Sequence, residues 1–177
     1  MAMIVDIHTH LLHIDEHCDL KVLSDMARCN IAPGRWRFTA EDHVRGTAAA
    51  DYVVVFGLRA ARTGWNVPND FVADYVRQSS ERLIFFAAID PGQMDYVQEL
   101  EHCHQDLGCK GVKLGPIYQG VHPLDKRYYD IYGYCSKHGL AVVTHMATTF
   151  SSGVPLEYAR PAHMDQVAID FPELRII

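Results

Sequence analysis

The stretch Met3-Ile4-Val5-Asp6-Ile7-His8-Thr9-His10 is a short apolar run that leaves on two histidines spaced one residue apart. It predicts a first strand over residues 3–8 with the histidine pair at its C-terminal end. Side chains alternate along a strand, so His8 and His10 share a face, about 6.5–7 Å apart along it. Two imidazoles so placed can meet one ion at about 2.1 Å each. Asp6 has the same parity and is placed to orient a ligand. The chain carries its own control. His102 and His104 repeat the spacing inside a helical pattern, where residues two apart point in different directions, and they read as solvated surface.

Working outward, further apolar runs follow at 51–58 (DYVVVFGL), 83–89 (LIFFAAI), 111–114, 140–144 (LAVVT) and 174–177 (LRII). Runs this continuous suit strands buried on both faces, as in parallel sheets. Helical patterns lie between them at 39–50, 69–80, 93–107, 125–138 and 161–171. Thr39 and Asn69 are expected N-caps, and Gly108 and Gly139 stand where helices end. Met94, Val97, Leu100 and Leu107 are expected on one buried face. The repeated strand–helix order predicts an α/β fold with a parallel sheet and right-handed crossovers. It does not by itself separate a doubly wound sheet from a barrel. Neither G-x-G-x-x-G nor a P-loop motif follows any strand, which removes the usual mark of a nucleotide fold.

Three more residues at strand ends carry chemistry. His145 closes LAVVT with the parity of Ala141 and Val143, and joined to His8 and His10 it makes a His₃ set with an open position for water. In Gly111-Val112-Lys113-Leu114, Val112 and Leu114 suit packing under helices, so Lys113 points inward with the glycine. A lysine there needs an anion. It either holds a substrate carboxylate, is carboxylated and ligates metal, or snorkels to solvent. Asp90, before Pro91-Gly92, reads first as a turn residue. Arg59, in the long loop 59–68, is a candidate for substrate binding, and Trp65 and Tyr118 are loop anchors or packing residues.

Composition bounds the rest. Hydrophobic residues are 49% and charged residues 21% of 177, which argues for one globular domain over residues 1–177. The formal charge of −6, without a basic run, argues against nucleic acid as a partner. No apolar stretch reaches the ~20 residues that span a bilayer. The five cysteines are odd in number and form no C-x-x-C pair. The expectation is a reducing, cytoplasmic setting with neither a disulfide framework nor a cysteine zinc site.

The ordered set VDIHTH, FFAAIDPG, GCKGVKLGPIYQG, GLAVVTHMA and ARPAHMDQVAIDFPELRII resembles the amidohydrolase superfamily, in the branch that also contains aminocarboxymuconate-semialdehyde decarboxylase and resorcylate-type decarboxylases. The resemblance runs through the whole chain. It implies a (β/α)₈ TIM barrel of which about the first five to six β/α units are present, the chain ending inside the sixth strand. It implies one divalent ion, zinc, on His8, His10 and His145, and matches Lys113 only loosely to the fourth-strand position. It places a further histidine after the sixth strand and an aspartate after the eighth, beyond Ile177. The implied activity is hydrolysis, with metal-activated water attacking an ester, amide or lactone carbon. Non-oxidative decarboxylation of a small unsaturated or aromatic carboxylic acid is the alternative. A third reading is an inactive partial barrel that only oligomerises. The expected partners are a small-molecule substrate and a second copy of the chain.

Overall fold

The computed structural model of the chain describes residues 2–32, 34 and 37–177. In chain order the first half holds β1 (Val5–His10), β2 (Leu12–His13), α1 (Ile14–His17), α2 (Leu20–Arg28), β3 (Arg37–Phe38), α3 (Ala40–Gly46), β4 (Tyr52–Phe56), β5 (Arg59–Ala60), β6 (Trp65–Asn66) and α4 (Asn69–Ser79). The second half holds β7 (Leu83–Phe85), β8 (Ala87–Ala88), α5 (Tyr96–Gln105), β9 (Gly111–Leu114), α6 (Pro116–Gln119), α7 (Lys126–His138), β10 (Ala141–Thr144) and α8 (Ala162–Asp170).

The frame is parallel throughout. β1 pairs with β4 and β4 with β7. β8 pairs with β9 and β9 with β10. The two sheets are joined at Phe86, where Lys110 N donates to Phe85 O at 2.9 Å. Beyond β10, Ile176 bridges Val142 in parallel. The alternation of a barrel wall is plain in the packing. One parity of the strands (Val53, Val55, Leu83, Phe85, Val112, Leu114, Val142) packs with Val72, Leu100, Tyr128 and Ile131 of the helices in the main core. The other parity (Val54, Phe56, Phe86, Val143, with Ile84 and Ala141) forms a small separate cluster inside the wall. In β4, β7 and β9 both faces are largely buried, which is why those strands read as unbroken apolar runs, whereas β1 leaves Val5 and Ile7 exposed. Gly111 belongs to the inner parity. A Cβ there would sit 2.3 Å from the Phe86 ring and 2.7 Å from Ala141 O, so the glycine makes room for that ring.

The caps explain the helix positions. Thr39 accepts from Asp42 N ahead of α3, and Asp125 accepts from Arg127 N ahead of α7. Gly139 ends α7 at φ +67°, whereas α5 ends at Gln105 with Asp106 as its cap, and Gly108, at φ +74°, lies beyond it.

Several expectations shift. β1 runs to His10 rather than stopping at His8, because Thr9 and His10 still pair with Val55 and Phe56. Its register slips between Asp6 and Thr9, a bulge that breaks the strict alternation. Asp6 accepts from the His8 backbone N–H at 3.1 Å, so it supports the main chain rather than an imidazole. The third strand divides into β7 and β8 because Phe86 N bonds Val55 O. The cap of α4 is Pro68. Asn69 turns its amide onto the Ala88 backbone, donating to O at 3.0 Å and accepting from N at 2.8 Å. Met94 is fully exposed, since α5 begins only at Tyr96. The loop at 59–68 contains the β5–β6 hairpin, and a short helix, α6, follows β9. All five cysteines are free thiols. No helix among the described residues is long and apolar enough to cross a membrane.

Candidate metal and substrate cavity

The C-terminal ends of β1, β9 and β10 open into one cavity of about 390 Å³. His8 and His10, Lys113, and His145 line it from those three strands, with walls of Leu12, Phe38, Leu58, Trp65, Tyr118 and Phe150. The strand-end location is where barrel sites form. The inward parity of His145 and Lys113 follows that of Val143 and Gly111 beneath them.

The His8 and His10 ring centroids are 5.3 Å apart. Both rings stand against Phe56, at 5.0 and 4.7 Å, which supports them from below. Burial is the largest influence on each. With Lys113 beside them, it holds His8 down to about 4 and His10 to about 3. Both are therefore neutral at pH 7 with lone pairs available. His10 Nδ1 is buried without a hydrogen-bond partner. Burial also lowers His145. Its ring lies 4.8 Å from Tyr118, and its Nε2 bonds the Thr148 carbonyl at 2.7 Å.

Among the described residues no three His, Cys, Asp or Glu side chains already stand around a single ion position. The donor set still fits one divalent ion in chemistry, with two neutral convergent imidazoles, an orphaned ring nitrogen and a third imidazole on the same cavity.

Lys113 is 2% exposed. Its Nζ lies 3.4 Å from His8 Nε2 and 5.0 Å from the Phe56 centroid. No ion pair to it occurs among the described residues, and burial pushes it down to about 8. Of the three readings open for it, snorkelling to solvent is ruled out by its burial.

Arg59 is not brought to this cavity. It pairs with Glu99 and lines a neighbouring polar cleft of about 460 Å³ with Asp19 and Asp90. Asp90 is a buried structural turn residue, accepting from Gly92 N at 2.8 Å and Ala61 N at 2.9 Å. His102 and His104 separate as expected. The first bonds Asp106 and the second Tyr134. The wall residues Phe38, Leu58 and Phe150 and the support Phe56 carry no motif. Phe38, Phe56 and Leu58 share one signal, an aromatic or apolar residue at or just after a strand end, and Phe150, well past β10, lacks even that.

A parallel strand–helix wall with imidazoles and a lysine at its C-terminal mouth defines a partial TIM barrel bearing a candidate metal site. The chain belongs to the amidohydrolase family, whose model matches residues 5–177. No curated relative matches it by sequence. Among solved structures it is similar to an uncharacterised TIM-barrel protein from Bordetella bronchiseptica (TM-score 0.75, 20% identity, 99% of this chain and 66% of that one). It is also similar to a manganese-bound 5-carboxyvanillate decarboxylase from Novosphingobium aromaticivorans (TM-score 0.69, 14% identity, 98% and 64%). A 2,6-dihydroxybenzoate decarboxylase complexed with 2,6-dihydroxybenzoate is a third (TM-score 0.68, 16% identity, 99% and 66%). The chain thus spans about two thirds of the length of these structures.

Proposed function

We propose that this chain supplies the metal-binding and carboxylate-binding part of a non-oxidative carboxy-lyase acting on a small aromatic or unsaturated carboxylic acid. The observation that carries it is Lys113: a buried ammonium without an anionic partner among the described residues, beside His8 in a cavity walled by Phe38, Trp65, Tyr118 and Phe150. A cation so placed lacks the compensation that buried charge requires, and a substrate carboxylate supplies it. The aromatic walls fit a flat apolar body behind that carboxylate. Two similar structures are decarboxylases of aromatic acids by their descriptions.

His8, His10 and His145 would hold one divalent ion. An all-imidazole set suits zinc, while the carboxyvanillate decarboxylase structure holds manganese. When bound, the ion polarises a substrate oxygen as a Lewis acid. Lys113 anchors and orients the carboxylate, Phe56 keeps the histidine rings in place, and the walls exclude water from the apolar part of the substrate. Hydrolysis of an ester or lactone uses the same donors, and the family's name favours it. There Lys113 would face the oxygen on which charge develops, whereas a carboxylate substrate matches its charge already in the ground state.

The test is a screen of aromatic and unsaturated carboxylic acids for bicarbonate release, run beside a screen of esters and lactones. Metal analysis of the wild type and of His8→Ala/His10→Ala accompanies it. Bicarbonate release lost on Lys113→Met supports the proposal. Ester turnover indifferent to Lys113→Met, or metal content unchanged by the double substitution, sinks it.

A further inference from the structure

The bulge in β1 is held from outside the wall by a chain of hydrogen bonds. Asp6 pairs with Val53 and Thr9 with Val55. Three steps on β1 therefore match two on β4, and Val54 faces the extra residue. Thr9, between the two histidines, points away from the cavity and donates its hydroxyl to Val54 O at 2.7 Å. That leaves the Thr9 oxygen to accept, and His43 Nε2 lies 2.9 Å from it. His43 Nδ1 in turn lies 2.9 Å from the Tyr75 hydroxyl.

The directions are forced. Thr9 spends its one proton on Val54, so His43 must donate from Nε2. In the neutral ring Nδ1 then accepts from Tyr75, whose oxygen also meets Ser79. Burial, reinforced by Arg82, favours that neutral form, with Asp6 acting the other way. The imidazole is itself fixed. His43 is 6% exposed on α3. Its carbonyl accepts from Thr47 Oγ1 at 2.8 Å, and Arg82 ties down the Thr47 carbonyl at 2.9 Å.

We infer that His43 is a positioning residue that, through Thr9, holds the bulge in β1 and so sets the spacing of the His8 and His10 rings. His8 lies within the bulge and His10 just past it, so any relaxation of the bulge moves one ring relative to the other. A fixed pair of donors binds an ion more tightly than a loose one, because the ordering cost is met by the fold. The consequence for metal affinity rests on the proposal that these two histidines hold the ion. The consequence for ring position does not.

The experiment uses Thr9→Val, which removes the hydroxyl at constant shape, and Thr9→Ser, which keeps it. His43→Leu removes both contacts of the ring, and His43→Gln retains a donor and an acceptor. Cobalt(II) titration followed by d–d absorption reads affinity. Long-range proton–nitrogen NMR reads the imidazoles of the metal-free chain. Thr9→Val and His43→Leu are expected to weaken cobalt by about tenfold or more, with Thr9→Ser within about twofold of wild type. His43→Gln is expected to fall between, and the Thr9→Val/His43→Leu pair to lose little more than the worse single variant. In the metal-free chain, the His43 spectrum should show Nε2–H, and Thr9→Val should move the His8 and His10 resonances together. Wild-type cobalt affinity in both Thr9→Val and His43→Leu overturns the inference, as do losses that add in the double variant or an equal loss in Thr9→Ser. Should the wild type bind no cobalt, or His8→Ala bind it unchanged, the metal proposal fails instead. The NMR arm then decides alone. Unmoved His8 and His10 resonances in folded Thr9→Val refute the positioning role, and displaced ones uphold it.

Discussion

Lys113→Met should make the metal-free chain more stable while removing its grip on carboxylates. The side chain is 2% exposed, and burial alone accounts for its fall from 10.5 to about 8. At ~1.36 kcal/mol per pH unit this corresponds to about 3 kcal/mol of destabilisation at neutral pH. Methionine fills much the same space without the charge. The pH dependence follows from linkage. Below about 8 the ammonium is protonated in both folded and unfolded chains, and the folded chain carries the whole penalty. Between about 8 and 10.5 the folded chain releases the proton while the unfolded chain keeps it, so wild-type stability rises with pH. The advantage of Lys113→Met should therefore be full at pH 7 and vanish by about pH 10.5. Urea denaturation in EDTA at pH 7, 9 and 10.5 measures it. An aromatic carboxylate should raise the pH 7 midpoint of the wild type and leave that of Lys113→Met in place. A variant equal to or weaker than wild type at pH 7 would refute the argument, since Lys113 would then have a partner that compensates its burial.

Three further outcomes follow from the same contacts. His10 is held at about 3, against 6.5 when unfolded. As pH falls below 6.5 the unfolded chain takes up protons that the folded chain refuses, and stability drops toward pH 4. Urea midpoints across that window in EDTA should slope less steeply in His10→Asn, and an unchanged slope would count against the buried neutral ring. Gly111→Ala forces a methyl group against the Phe86 ring and the Ala141 carbonyl, at a cost of about 1–3 kcal/mol in thermal or urea unfolding. Asp25 accepts from Ser152 N at 2.9 Å and from Lys21 Nζ at 3.1 Å. Asp25→Ala should lose about 1–3 kcal/mol and speed amide exchange at residues 150–153, with α7 unchanged.

The frame was legible because its physics is local. Val53–Phe56 and Ala141–Thr144 are buried on both faces, so their runs announce strands. Thr39 and Gly139 bound helices by their own hydrogen bonds or dihedral angles. The parity of the strand runs puts Lys113 and His145 on the side of the wall that lines the cavity. The β1 bulge was not legible, because alternation assumes an unbroken ladder and the slip depends on a threonine, a histidine and a tyrosine from three elements. The β5–β6 hairpin likewise leaves no pattern in the sequence, since two-residue strands have no period.

The orientation of the third donor shows where local reasoning stops. That His145 faces the cavity follows from its place two residues past Val143. Which way its ring turns depends on Thr148, and Thr148 is set by Ala147, a non-glycine residue at φ +82°. That conformation costs on the order of 1–2 kcal/mol, and Ala147 N bonds Ala159 O at 2.7 Å within it. The segment that follows is strapped to α2. Lys21 reaches Ser152 O at 3.2 Å, and Arg28 reaches Phe150 O at 2.6 Å. Residues 120 and more positions upstream thus govern the loop that holds the His145 ring on Thr148 and places Phe150 on the cavity wall. A pattern within the strand can fix the side from which a donor approaches, but its direction is a property of the assembled barrel mouth.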